Sequence, residues 1–150
     1  MKRINQYKKL FNVEGEIDLK QLKTNYRNLV KEWHPDKHTA DDTKKEEAEI
    51  MSRQLTDGYA FLISIAPETI AANLDAYNET INNAAIEDLQ HKSLLLEVTF
   101  TDGNTYEYFG VNRNLYVKLV NADKMQRFAR RNIFNSFTYR KSKRTVEQEA

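Results

Sequence analysis

Two stretches with apolar residues at helical spacing meet at a single proline, and that junction constrains the first half of the chain more than any other feature. From Leu19 onward, Leu22, Tyr26, Leu29, Val30 and Trp33 recur every three or four positions, which places them in one stripe along a helix. Asp18 is suited to cap that helix, and Val13-Glu14-Gly15-Glu16 makes the turn before it. Pro35 ends it, because proline disfavours helical geometry at His34 and donates no backbone hydrogen bond. Beyond a loop from His34 to Ala40, a second helix is expected over about 41–65, with Ala48, Met51, Leu55, Tyr59 and Leu62 on one face. Its first turn carries Asp41 and Asp42, which suits the helix dipole. Facing stripes joined by a short loop predict an antiparallel helical hairpin.

The second half changes its rhythm. Pro67 suits the first turn of another helix, and Ile70, Leu74, Tyr77, Ile81, Ala85 and Leu89 predict one amphipathic helix through 69–90. After Lys92 the period falls to two: Leu94, Leu96, Val98 and Phe100 alternate with their neighbours, and Tyr106 and Tyr108 do so after Asp102-Gly103. An Asp-Gly between two alternating runs signals a β-hairpin. Two strands are marginal alone, so helices expected over about 113–120 and 123–134 should cover one face. Phe137-Thr138-Tyr139 is suited to a further short strand. The fold class expected is α+β: an all-α part over 1–66, a linking amphipathic helix over 67–92, a β-hairpin and two-helix module over 93–142, and a frayed charged tail over 143–150.

Composition narrows the function. A chain of 150 residues, 40% hydrophobic, has room for one domain of usual size or two small ones. The absence of cysteine excludes disulfides, thiol catalysis and thiolate metal sites. With no long apolar run and no secretory signal, the expected location is cytoplasmic, away from the membrane. The net charge of +1 hides an uneven distribution. Residues 67–90 hold five acids and no lysine or arginine, whereas residues 91–150 hold eleven basic against six acidic side chains. An acidic middle and a basic end can attract each other within one molecule.

His34-Pro35-Asp36 is the most informative tripeptide. It lies on the loop between the two helices, preceded by Trp33 and followed by Lys37, with Tyr7-x-x-Leu10-x-x-Val13 upstream and Gly58-Tyr59-x-x-Leu62 downstream. This arrangement, over about residues 5–65, resembles the J-domain of the DnaJ family of Hsp70 co-chaperones. Tyr7 to Val13 resembles the family's short first helix and the turn after it. The stretch Leu22 to Leu29 is similar to the second-helix pattern, and Gly58-Tyr59-Ala60-Phe61-Leu62 to the Ala-Tyr-x-x-Leu near the end of the third. The resemblance implies a DnaK-type Hsp70 as partner, with ATP hydrolysis by its ATPase domain stimulated through His34, Pro35 and Asp36. Lys23, Arg27, Lys31 and Lys37 are the supporting cations it implies. Thr24 and Asn28 stand where many relatives carry Lys or Arg, which implies weak or selective binding. A contact role suits these residue types: Pro35 rigidifies the loop and lowers the ordering cost. Asp36 can accept a charge-assisted bond, and cations on one helical face steer an acidic surface.

Catalysis has little to draw on. His34, Asp36 and His38 have metal-compatible side chains, but nothing in the pattern makes them converge. There is no glycine-rich phosphate loop, nucleophile elbow or supported carboxylate pair. No enzyme activity, metal or cofactor is expected of this chain.

Residues 94–140 resemble the KTSC domain, a small module sometimes found at the C-terminus of lysyl-tRNA synthetases. Leu96-x-Val98-x-Phe100, Asp102-Gly103, Tyr106-x-Tyr108, Val111, Tyr116, Leu119, Ala122, Phe128, Asn132-Ile133 and Phe137 carry the resemblance. Relatives usually have a Ser-x-Gly element after the alanine, where this chain has Lys124 and Gln126. Arg127, Arg130, Arg131, Arg140, Lys141, Lys143 and Arg144 make the densest basic cluster. The main expectation is a co-chaperone whose C-terminal module selects an unknown client or a location. The alternative is a non-enzymatic adaptor, binding RNA or another partner through Arg127, Arg130, Arg131, Arg140 and Lys141, with the J-like part as scaffold.

Overall fold

The computed structural model describes residues 2–34 and 42–142, so Pro35, Asp36, Lys37 and His38, and the tail expected over 143–150, lie outside the described residues. The chain is α+β: helices lead, and a four-stranded antiparallel sheet with two helices follows. It divides into two compact units, one of residues 2–71 and one beginning at Ala72.

In the first unit, α1 (Lys2–Leu10), α2 (Leu19–Trp33) and α3 (Asp42–Ile65) are followed by the short α4 (Pro67–Ala72). Asn12, with φ of 56°, closes α1 in a left-handed cap: Asn12 N–H donates to the Lys9 carbonyl at 3.2 Å and Val13 N–H to that of Lys8 at 2.8 Å. Asp18 caps α2 as expected, accepting from Lys20 N–H at 3.0 Å. The Ser52 hydroxyl donates to the Trp33 carbonyl at 3.2 Å, and the rings of Tyr26 and Tyr59 stack at 4.1 Å. One residue forward on α2 thus meets one backward on α3, the mark of an antiparallel pair. Leu22, Leu55, Phe61 and Leu62 are buried, with Phe11 from the end of α1. Tyr26, Leu29, Val30 and Trp33 are half-buried, so the α2 stripe marks a seam rather than a deep core. Gly58 makes α1 fit: a Cβ there would lie 2.7 Å from Tyr7 Cδ1 and 3.0 Å from Phe11 Cε2. Arg3 lies 4.3 Å from the Phe61 ring centroid, a cation–π contact that ties α1 to α3 as well.

The helix expected through 69–90 is not one helix. It stops at Ala72, resumes as α5 (Leu74–Asn83), and gives way to β1 (Ile86–Lys92). Asn82 and Asn83 are poor helix formers, and Ala84 is already extended, with ψ of 155°. The misleading period has a physical origin. Ile86 pairs with Phe100 but Asp88 with Thr99, so Glu87 is the extra residue of a β-bulge. The bulge turns both Ile86 and Leu89, three apart, toward the core partners Phe100 and Val98, and the spacing imitates a helix.

β2 (Leu95–Phe100), β3 (Thr105–Phe109) and β4 (Thr138–Lys141) complete a sheet of order β1-β2-β3-β4. α6 (Arg113–Asn121) and α7 (Met125–Asn132) match the two expected helices closely, and Asn112 caps α6 through Leu115 N–H at 2.8 Å. One sheet face packs Leu96, Val98, Phe100, Tyr106 and Tyr108 against Tyr77 and Ile81 of α5, Leu119 of α6 and Ala129 of α7. The acidic segment thus contributes α5 to the core. Four tyrosines gather here: Tyr77 stacks on Tyr139 at 3.9 Å and meets Tyr106 edge-on at 5.0 Å. Tyr77 OH donates to the Phe134 carbonyl at 2.6 Å, so the 2.9 Å contact between the two hydroxyls leaves Tyr108 OH donating to the Tyr77 oxygen. Burial raises the pKa of all four, that of Tyr139 to about 12.

Candidate functional site: a basic helix face beside the loop

The helical period that buries Leu22 puts Lys23, Arg27 and Lys31 on the opposite side of α2, four residues apart and all exposed. They span about 12 Å along the helix. None is in an ion pair among the described residues. Lys20, also exposed, extends the row by one turn. Sequence reading passed over it, although its spacing of three from Lys23 was visible. At the end of the row α2 stops at His34, whose φ of −60° and ψ of 129° are extended, as a residue before proline requires. His34 is exposed and makes an interaction of its own. Pro35, Asp36 and Lys37 lie outside the described residues. Thr24, one of the two departures from the family pattern, turns its hydroxyl back onto the Lys20 carbonyl at 3.1 Å.

The residues of the second candidate patch do not share a face. Arg127, Arg130 and Arg131 are exposed on α7, at spacings that group them on one side. Arg140 points the other way. Its neighbour Tyr139 packs in the core, so alternation along β4 turns Arg140 to the opposite sheet face. There its Nε and Nη2 reach Glu107 Oε1 at 2.9 and 2.8 Å, both side chains largely buried. Arg140 is therefore engaged in a buried ion pair, away from the α7 arginines. Lys141 is exposed at the end of β4, and Lys143 and Arg144 lie outside the described residues.

Two polar residues do more than their sequence context suggested. Gln126, standing where relatives carry Ser-x-Gly, accepts from Ile86 N–H at 3.0 Å and donates to the carbonyls of Ala84 at 3.1 Å and Ile81 at 3.4 Å. It holds the junction where α5 becomes β1. His91 is half-buried, its ring stacked on Tyr116 at 4.6 Å and its Nε2 2.7 Å from the Val111 carbonyl. That spacing requires the proton on Nε2, which then donates. Of the metal-compatible trio His34, Asp36 and His38, only His34 is among the described residues. Within those residues, no group of three or more histidines and carboxylates is arranged to hold a metal ion. No helix there is long and apolar enough to cross a membrane.

A comparison with curated proteins returns no match. Residues 6–66, which include Lys20, Lys23, Arg27, Lys31 and His34, match the DnaJ domain, and residues 86–137, from β1 to just before β4, match the KTSC domain. The chain therefore joins a J-domain to a KTSC domain.

Proposed function

We propose that this chain is a co-chaperone that binds the ATPase domain of an Hsp70 through His34-Pro35-Asp36 and the cations of α2, and stimulates ATP hydrolysis there. The DnaJ domain supports a co-chaperone role in general, and J-domain proteins as a class partner Hsp70 rather than act as enzymes. The observation that carries the finer reading is the exposed row Lys23, Arg27 and Lys31 ending at the exposed His34, a polarised surface directed at one end of α2. Such a row speeds encounter with an acidic surface and fades with added salt. Pro35 keeps His34 extended and reduces the conformations lost on docking. Asp36 offers a carboxylate to a basic group on the partner, a bond whose truncation typically costs about 2–5 kcal/mol when buried at an interface. In this proposal residues 1–66 do the stimulating, and the KTSC part selects a client or a location.

The test is steady-state ATP hydrolysis by Hsp70 with the wild-type chain and with His34→Gln. The wild type raises the rate and the variant does not; equal rates would defeat the proposal.

A second reading rests on Arg127, Arg130 and Arg131, three exposed arginines on one side of α7. They suit phosphate contacts, which would make the KTSC part an RNA-binding adaptor. A gel shift that weakens with salt and disappears with Arg130→Glu plus Arg131→Glu supports it. No shift at low salt refutes it.

A further inference from the structure

The four-stranded sheet ends on one side at β1. Bonds inside the sheet fix which way the backbone of that edge faces. Phe100 N–H donates to the Asn104 carbonyl at 2.8 Å and Gly110 N–H to that of Leu94 at 2.9 Å, so the even-numbered positions from Leu94 to Phe100 bond toward β3. The odd-numbered ones, Leu95, Glu97 and Thr99, therefore bond toward β1, where the register sets them against Lys92, Gln90 and Asp88. That leaves the N–H and C=O of Leu89 and His91 pointing outward, away from β2. No hydrogen bond among the described residues uses these four groups. Ile86 N–H faces the same way but is taken by Gln126 Oε1, and the bulge at Glu87 breaks the regular edge beside it. The open edge is thus residues 88–92, about 17 Å long.

An unpaired edge is a template for another strand, and its side chains decide which strand fits. Along β1, Asp88, Gln90 and Lys92 are exposed, whereas Leu89 and His91 between them are half-buried. Asp88 and Lys92 are opposite in charge and lie two positions to either side of Gln90. Antiparallel pairing of β1 with its own copy, about a two-fold axis at Gln90, sets Asp88 against Lys92 of the second copy and Lys92 against Asp88 of the second copy. Opposite charges so placed favour the pairing, and like charges oppose it. The same operation sets Leu89 against His91 of the second copy, and the reverse. These are the outward-facing residues, so each pair exchanges both of its backbone hydrogen bonds. Moving the axis to Leu89 or to His91 sets Gln90 against Asp88 or Lys92 and loses both charge matches. Moving it to Asp88 brings two carboxylates together.

We infer that the chain forms a homodimer by antiparallel pairing of β1 with β1 of a second copy about a two-fold axis at Gln90, joining two four-stranded sheets into one of eight. The inference rests on the sheet edge alone and is independent of ATPase stimulation by the J-domain. A two-fold contact closes on itself, whereas β1 added to β4 of another copy would extend without end. So short a strand contact buries little area, which makes the dimer weak and dependent on concentration.

The experiment is sedimentation equilibrium of the full chain up to the concentration of an NMR sample, with amide spectra recorded over the same range. The wild type passes from monomer to dimer as concentration rises, and the amide signals of Leu89 and His91 move in step. Asp88→Lys alone and Lys92→Asp alone each place like charges together in both pairs, and each weakens self-association at least about tenfold. Both residues are exposed, so neither change removes a core contact. Mixed in equal amounts, the two singly reversed chains pair with each other, because every cross-strand contact is again between opposite charges. The double reversal Asp88→Lys plus Lys92→Asp likewise restores the homodimer. A chain that stays monomeric at every concentration overturns the inference, as does an association that the single reversals leave unchanged. Loss without recovery in the mixture and in the double reversal also overturns it, and so does growth into open-ended assemblies.

Discussion

At the scale of single residues, two substitutions of similar size should have unequal costs. Tyr77 OH donates to the Phe134 carbonyl and accepts from Tyr108 OH. Tyr77→Phe strands both partners in the core and should destabilise by about 1–3 kcal/mol. Tyr108→Phe leaves the bond to Phe134 intact and should cost about 0.5–1.5 kcal/mol. Urea unfolding of the two variants, followed through signals of the C-terminal unit, checks the order. Gly58 offers a second case, since any side chain there meets Tyr7 and Phe11. Gly58→Val should destabilise the N-terminal unit by about 1–3 kcal/mol through overpacking. Its measure is the melting of that unit against wild type. The tyrosine cluster also sets an alkaline limit. An ordinary tyrosine ionises at 10.0, but burial holds Tyr139 protonated to about 12, so above pH 10 the unfolded chain binds fewer protons than the folded one. Stability from this group is complete below pH 10 and is lost as pH rises through 12. Tyrosinate absorbance should therefore lag behind that of free tyrosine until the C-terminal unit unfolds.

At the scale of elements, most of the fold was legible because most elements bury one face and expose the other. The α2 stripe, the Pro35 stop, the hairpin around Asp102-Gly103 and the two C-terminal helices all follow from apolar period and turn chemistry. β1 was not legible: the bulge at Glu87 gives a strand the three-residue spacing of a helix, and only the pairing with β2 exposes the difference. Gln126 was hidden for another reason. Its three partners lie at least forty residues away in sequence, and a side chain that satisfies backbone groups at a distance leaves no local pattern. Gln126→Ala should cost about 1–3 kcal/mol by freeing these groups at the α5–β1 junction. Hydrogen exchange at Ile86 and its neighbours should quicken more than exchange in the β2–β3 hairpin. The basic row on α2 was readable from spacing, whereas the position of Arg140 depended on strand register and its ion pair on Glu107, neither of which composition reveals.

At the scale of the whole molecule, the chain carries two units with separate cores, and its two candidate interaction faces fall one in each. The exposed α2 row lies within the DnaJ domain, residues 6–66, and the exposed arginines of α7 within the KTSC domain, residues 86–137. Charge reversal should therefore act on one without the other: Lys23→Glu with Arg27→Glu should abolish ATPase stimulation and leave the C-terminal unit's spectrum unchanged. The most direct measurement is an NMR titration of the full chain with an Hsp70 ATPase domain. The account predicts shifts or broadening at Lys23, Arg27, Lys31 and His34, weakening as salt is added. Unchanged signals throughout residues 6–66 at saturating ATPase domain, or changes confined to residues 86–137, would contradict it.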